Sequence, residues 1–279
     1  MREISTQTIV DAVKDASIQA NLELGDDVVQ ALGSALGDEE SNVGKDILKK
    51  LLENAKIARD ERIPMCQDTG VAVLFVELGQ GVSVKEGGLY QALEEGIRQG
   101  YKEGFLRKSV CHPFSRKNTG DNTPIIVHFD LVSGDKLKIW VVPKGGGSEN
   151  MSRLLMLSPS AGWYGVKEKI VQTVAEAGPN PCPPTIIGVG IGGNFERSAI
   201  LAKKSLLRPL GTPNPDTELA KMEQELLEEI NKTGVGPQGL GGRVTSLAVH
   251  MLMMPCHIAS LPLAVNIQCH ASRHVEVVL

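Results

Sequence analysis

The chain has 279 residues, 42% hydrophobic and 22% charged, enough to bury a sizeable core as one large domain or two lobes. Its formal net charge of -4, without a long basic run, argues against a nucleic-acid or membrane-surface partner, because both need clustered Lys and Arg. The opening residues Met1-Arg2-Glu3-Ile4-Ser5-Thr6 hold no apolar signal core and no stretch reaches membrane-spanning length, so we expect a cytoplasmic protein whose five thiols form no disulfide framework.

The first third reads as helical, with apolar residues three and four apart in the sets Ile9, Val10, Val13; Val28, Val29, Ala31, Leu32; and Ile47, Leu48, Leu51, Leu52, Ala55. Breaks at Gly25 and Gly37 separate them. After Gly70 the apolar run over 71–76 is short, β-branched and bounded by turn residues, which predicts a buried strand. A helix follows over roughly 88–101. Residues 124–129 and 137–142 read as two strands joined through a hairpin turn at Ser133-Gly134-Asp135. The second half alternates a helix near 166–177, a strand at 185–190, a helix at 195–207 and another at 217–230, and a last strand at 263–267 delivers Cys269 at its end. The stretch 209–215 is the plausible linker. The expected fold is α+β, one domain over 1–279 made of a helical lobe over about 1–62 and a mixed α/β lobe over about 63–279.

Three of the five cysteines sit where a metal ligand fits better than a core residue: Met65-Cys66-Gln67-Asp68-Thr69-Gly70, Pro179-Asn180-Pro181-Cys182-Pro183-Pro184 and Asn266-Ile267-Gln268-Cys269-His270. Each lies at the edge of an apolar run, where proline, glycine or a polar flank stops helix or ladder and leaves the thiol at the lip of an element. They are far apart in sequence, so a shared site must be built by the fold; no local zinc knuckle or CxxC pair is present. Two glycine-rich segments stand beside them. In Pro143-Lys144-Gly145-Gly146-Gly147-Ser148-Glu149-Asn150, backbone N–H groups following a strand suit an oxyanion or carboxylate. Gly188-Val189-Gly190-Ile191-Gly192-Gly193 has the wrong spacing for a dinucleotide loop and reads instead as a tight turn for close helix packing.

Taken together, Cys66-Gln67-Asp68-Thr69-Gly70, Lys144 to Asn150, Gly190-Ile191-Gly192-Gly193 leading to Ala202-Lys203, and Pro255-Cys256-His257-Ile258-Ala259 leading to Asn266-Ile267-Gln268-Cys269-His270-Ala271 resemble the iron-sulfur hydro-lyases of the class I fumarase and L(+)-tartrate dehydratase family. The order and contexts match from about Ile4 to His274. The resemblance implies a [4Fe-4S] cluster held by Cys66, Cys182 and Cys269, with an open fourth iron that acts as a Lewis acid. Cys111 and Cys256 match no ligand position and are expected as packed thiols. The resemblance also implies that Asp68 works on the proton near the substrate hydroxyl, that His257 contacts substrate, and that Gln67, Arg107, Gly146 and Gly147 bind it. Each has a plainer reading: an Asx turn for Asp68, a loop hydrogen bond for Gln67, a satisfied core histidine for His257, a surface ion pair for Arg107. In Arg116 to Thr123 the side chains order a loop or cap the next strand, and Gly120 stands where the family often has Arg.

Single-chain members of the family carry a further C-terminal domain, and this sequence ends at Leu279, soon after the third cysteine. It therefore looks like the alpha subunit of a two-subunit enzyme, with a separate beta subunit and an alpha-alpha homodimer inside a heterotetramer. The expected activity is hydration of fumarate to L-malate, a small dicarboxylate reaction of the tricarboxylic acid cycle. The alternatives are an L(+)-tartrate dehydratase alpha subunit, or a non-catalytic metal-binding protein in which a fourth protein ligand, with His270 the near candidate, closes the site.

Overall fold

The computed structural model describes residues 1–279. Packing divides the chain into two compact units, one made of Met1–Leu24, Ala55–Gly146 and Arg273–Leu279, the other of Gly25–Asn54 and Gly147–Ser272. Strands and helices are mixed in both, which makes the fold α+β.

In the first unit, β1 (Arg2–Ser5) leads directly into α1 (Thr6–Leu22), and the Ser5 hydroxyl accepts from the Thr8 N–H at 3.1 Å to cap the helix. The unit continues through β2 (Val71–Gly79), β3 (Val82–Lys85), α4 (Leu89–Glu103), β4 (Ile126–Val132) and β5 (Leu137–Lys144) to a final strand, β10 (Val275–Val278). Helices α2 (Asp26–Asp38) and α3 (Asn42–Glu61) intervene in the chain; α2 belongs to the other unit and α3 contributes to both. Ile9 and Val13 of α1, Leu93 and Ile97 of α4, Leu74 of β2 and Ile139 of β5 join in one buried core. Gly96 and Gly100 let α4 close onto α1, since a Cβ at Gly100 would stand 1.9 Å from Ser17 Oγ.

The sheet order is β10-β5-β2-β4, which corrects the expected hairpin. β4 and β5 do not pair with each other: β2 lies between them, parallel to β4 (Val73 opposite Ile126) and antiparallel to β5 (Val73 opposite Val142). The physical reason is burial. Ala72 to Val76 are all buried and take the centre of the sheet, while β4 exposes Phe129 and Leu131 at the edge. The turn at 133–136 bends over the end of β2, where Gly79 N donates to Lys136 O and Gly81 N to Gly134 O.

The second unit contains the short helix α5 (Gly146–Glu149), β6 (Arg153–Leu157), α6 (Gly162–Ala177), β7 (Thr185–Gly193), α7 (Phe195–Ser205), α8 (Thr217–Asn231), β8 (Ser246–Cys256) and β9 (Leu261–Gln268). Its sheet runs β6-β9-β7-β8, with β7 parallel to β8 and antiparallel to β9. Val166, Ile170, Ile187, Val189, Leu226 and Val265 form its core. The glycine-rich segment at 188–193 is strand throughout rather than a turn, and its glycines serve close packing from within the sheet. Cβ atoms at Gly188 and Gly190 would lie 2.1 Å from the carbonyl oxygens of Ala202 and Ser198 on α7. The stretch 209–215 is no linker. Leu210 N donates to Asp27 Oδ2 at 2.8 Å, and buried Asn214 donates to Glu223 and to Met251 O. No helix is long and apolar enough to cross a membrane.

Candidate active site

In the first unit the segment from Met65 to Gly70 joins α3 to β2, and buried donors fix its backbone. Asp68 O accepts from the Arg273 guanidinium through Nη2, and Thr69 O accepts from the Tyr101 hydroxyl at 2.6 Å. Gly70 O accepts from Tyr101 at 3.1 Å and from Asn122 Nδ2 at 3.1 Å, while Thr69 Oγ1 donates to Arg107 O at 2.9 Å. Burial pushes the Tyr101 hydroxyl well above its ordinary pKa, so it stays a donor. Gly70 has φ +80°, and a Cβ there would stand 2.7 Å from Lys144 N, so the end of the segment admits only glycine.

On this frame the Asp68 carboxylate folds back. Oδ1 accepts the Gly70 N–H at 3.1 Å, the geometry of an Asx turn, and Oδ2 accepts the Gly146 N–H at 2.7 Å. The Cys66 sulfur receives the Asp68 N–H at 3.4 Å and lies 3.5 Å from Gln67 Oε1. The structure thus brings Cys66, Gln67, Asp68 and Gly146 together around one turn. The Gln67 and Arg107 side chains are exposed; Arg107 meets the turn through its carbonyl. Asp121 caps the approach to β4. Burial works against its charge, but the Thr123 N–H and hydroxyl and Arg98 outweigh that and hold its carboxyl at about 2.

In the second unit Cys182 is exposed and has φ +55°, a left-handed conformation uncommon outside glycine. Its carbonyl accepts from His270 Nδ1 at 2.9 Å and from the His270 N–H at 3.4 Å, so the residue after Cys269 is tied to Cys182. His257 stands at the exposed tip between β8 and β9. Its Nδ1 accepts the Ala259 N–H at 3.1 Å, which leaves the proton of the neutral ring on Nε2. Gly147 is exposed at the start of α5, and Glu149 closes that helix. The Glu149 carboxylate accepts from Lys203 Nζ at 2.6 and 2.8 Å and from Asn266 Nδ2 at 2.9 Å, which braces α5 against α7 and the strand that ends at Cys269.

None of the five cysteines is in a disulfide; Cys66 lies in a bend, Cys182 follows a turn and Cys269 follows the end of β9. Cys256 is not a packed thiol: it is exposed on the β8 end, where the strand runs out past the core, and its sulfur donates to Ser260 O at 3.1 Å. Cys111 is half-buried in a bridge with Asn118. Soft thiols suit an iron-sulfur group in their chemistry, and N–H groups stand beside two of them, Asp68 N–H at Cys66 and Gln268 Nε2 at Cys269. Within neither unit do three or more His, Cys, Asp or Glu side chains gather to close a metal site alone.

The model of the fumarate hydratase (Fumerase) family matches residues 10–278. The chain belongs to that family. It is 42% identical over 271 residues, 95% of this chain and 95% of the other, to a Methanocaldococcus jannaschii protein provisionally named L(+)-tartrate dehydratase subunit alpha. It is 31% identical over 276 residues, 98% of this chain and 91% of the other, to the L(+)-tartrate dehydratase subunit alpha of Escherichia coli strain UTI89. Membership makes the chain one of a family of hydro-lyases. Sequence reasoning had given no role to Arg273, Tyr101 or the Glu149–Lys203 pair. Asn122 falls in the 116–123 stretch read as ordering a loop, which its bond to Gly70 O matches, and Glu149 and Lys203 fall inside segments that resemble the family.

Proposed function

We propose that the chain is the cluster-carrying alpha subunit of a two-subunit hydro-lyase that reversibly adds water to fumarate to give L-malate. The observation that carries this reading is the Asp68 turn: a carboxylate two residues after Cys66, held by backbone N–H groups on both oxygens. When bound on Cys66, Cys182 and Cys269, a [4Fe-4S] cluster supplies a Lewis-acidic iron without a protein ligand. The protein groups do the rest. Gln67, Arg107 and the N–H groups of Gly146 and Gly147 receive the substrate carboxylates, Arg107 through its fork. When a carboxylate takes the Gly146 N–H, Asp68 Oδ2 loses that donor and is released to hold or move a proton at the carbon-bound hydroxyl. His257 offers its Nε2 proton to the same substrate.

The beta subunit adds the remaining groups of the site. Exposed apolar side chains of the second unit support a docking face for it: Phe195 (63% exposed) on α7, Met253 on β8 and Ile258 (91% exposed) at the tip that carries His257. An alpha-alpha homodimer within a heterotetramer and a cytoplasmic location complete the proposal. The names of both relatives favour a second reading, L(+)-tartrate dehydration. Anaerobic reconstitution with iron and sulfide, then assays on malate and on L(+)-tartrate with a beta chain supplied, decides between them. Turnover of tartrate alone overturns the fumarate reading; turnover of neither by a cluster-loaded pair overturns both.

A further inference from the structure

His270 was the candidate fourth ligand of a closed metal site, and the second unit gives it other work. Its Nδ1 lies 2.9 Å from Cys182 O, and a carbonyl only accepts, so Nδ1 carries the ring proton and donates it. The His270 backbone N–H points at the same oxygen from 3.4 Å. Gln238 stands behind this pair. Its backbone N–H donates to Pro183 O at 2.7 Å and its Nε2 to the same oxygen at 2.9 Å, with Nε2 only 3.3 Å from the imidazole. Two consecutive carbonyls, those of Cys182 and Pro183, are therefore clamped by two side chains from elsewhere in the unit.

The clamp grips a backbone that would not hold this shape unaided. Cys182 at φ +55° and Gln238 at φ +52° are both in the left-handed region, which non-glycine residues occupy only when their surroundings over-determine it. The loop that carries Gln238 is itself fitted against the Pro179 end of the cysteine segment: Gly239 has φ +73°, and a Cβ there would stand 2.3 Å from Pro179 Cβ. Since His270 follows Cys269 directly, the same hydrogen bond that holds Cys182 also fixes its place relative to Cys269.

We propose that His270, backed by Gln238, is a positioning residue that sets the two thiols of Cys182 and Cys269 side by side before any metal arrives. The proposal rests on the reading of these two cysteines as cluster ligands, but it concerns the metal-free chain as well. Outer partners that orient metal ligands commonly change metal affinity by about 10–100-fold when removed.

The test uses the full chain, prepared anaerobically, as wild type, His270→Ala, His270→Asn and Gln238→Met. In the metal-free proteins, phenylarsine oxide, which bridges two neighbouring thiols, is expected to link Cys182 to Cys269 in the wild type, read by peptide mass spectrometry. Linking slows by about tenfold or more in His270→Ala and less in Gln238→Met. His270→Asn keeps a donor near the Nδ1 position and restores the rate to within about threefold. After reconstitution with iron and sulfide, loss of the visible absorbance to a chelator accelerates by about 10–100-fold in His270→Ala. Equal linking rates in wild type, His270→Ala and Gln238→Met overturn the proposal, whatever the cluster does. A wild type that takes up no cluster overturns the ligand reading instead, and the arsenical result then judges His270 alone. Gln238→Met serves if His270→Ala does not fold.

Discussion

Cys66 and Cys182 differ from Cys256 in what holds the backbone around them. Cys256 ends a strand in solvent and gives its hydrogen to a loop carbonyl, whereas Asp68 N–H is directed at the Cys66 sulfur and His270 grips the Cys182 carbonyl. Single replacement of Cys66, Cys182 or Cys269 by Ser is therefore expected to abolish the brown absorbance of the anaerobically reconstituted protein, and Ser at Cys111 or Cys256 to leave it. Bleaching by Cys111→Ser with retention by Cys182→Ser reverses the assignment. The Tyr101 hydroxyl offers a second test, because it satisfies two carbonyls of the Asp68 segment from inside the core. Tyr101→Phe keeps the ring and leaves those acceptors short of a donor, a loss of about 1–3 kcal/mol in urea unfolding. Turnover falls with it if the segment sets Asp68, while an unchanged rate confines Tyr101 to stability. The cysteines and Asp68 were legible in the sequence because Pro, Gly and Asp break the backbone beside them. Arg273 was not. Arg273 is 4% exposed, with its guanidinium turned onto Asp68 O, and a lone Arg near the end of a chain ordinarily reads as solvated.

Elements were legible where a run of apolar residues had one period, and less so where pairing had to be inferred. β2, α4, α6, α7 and α8 fall where the pattern put them. The hairpin expectation for β4 and β5 failed because proximity in sequence decides pairing only when no more apolar strand competes for the place between. β8 escaped notice because Ser246-Leu247-Ala248-Val249-His250-Met251 has few β-branched residues, and its strand character comes from lying against β7. The glycines of β7 show the opposite: their clustering was visible, but what they accommodate is the backbone of α7. Gly190→Ala, which introduces a Cβ 2.1 Å from Ser198 O, is expected to lower stability by about 1–3 kcal/mol by urea unfolding, with the shift carried by the midpoint. A neutral result means that α7 moves away from β7 at little cost.

At the scale of the molecule, the two units could not be read from the sequence because each is assembled from separated stretches of chain, and composition changes little where the chain passes from one to the other. Their separate cores make the stability of the second unit a distinct question, and two of its polar groups answer it through pH. Glu39 is 1% exposed; burial alone would raise its pKa, but the N–H groups of Arg243, Val244, Ser41 and Glu40 converge on the carboxylate and lower it. A lowered carboxyl contributes stability that is present above the ordinary carboxylate range and is lost as pH falls through its native value. His250 acts at higher pH. Burial, helped by Arg208, pushes its pKa down to about 4, while a hydrogen bond to the Ser205 backbone works the other way. Between about 6.5 and 4 the unfolded chain binds a proton that the folded imidazole refuses, so stability falls with pH across that window. The wild type is expected to lose roughly 2–3 kcal/mol from this group between pH 7 and pH 4, and His250→Phe to be flatter there while keeping the Glu39 loss at lower pH. Urea midpoints measured at half-unit steps of pH, with fluorescence of Trp163 in the second unit as the reporter, check both. Equal slopes in wild type and His250→Phe between pH 6.5 and 4 assign the acid response to other groups.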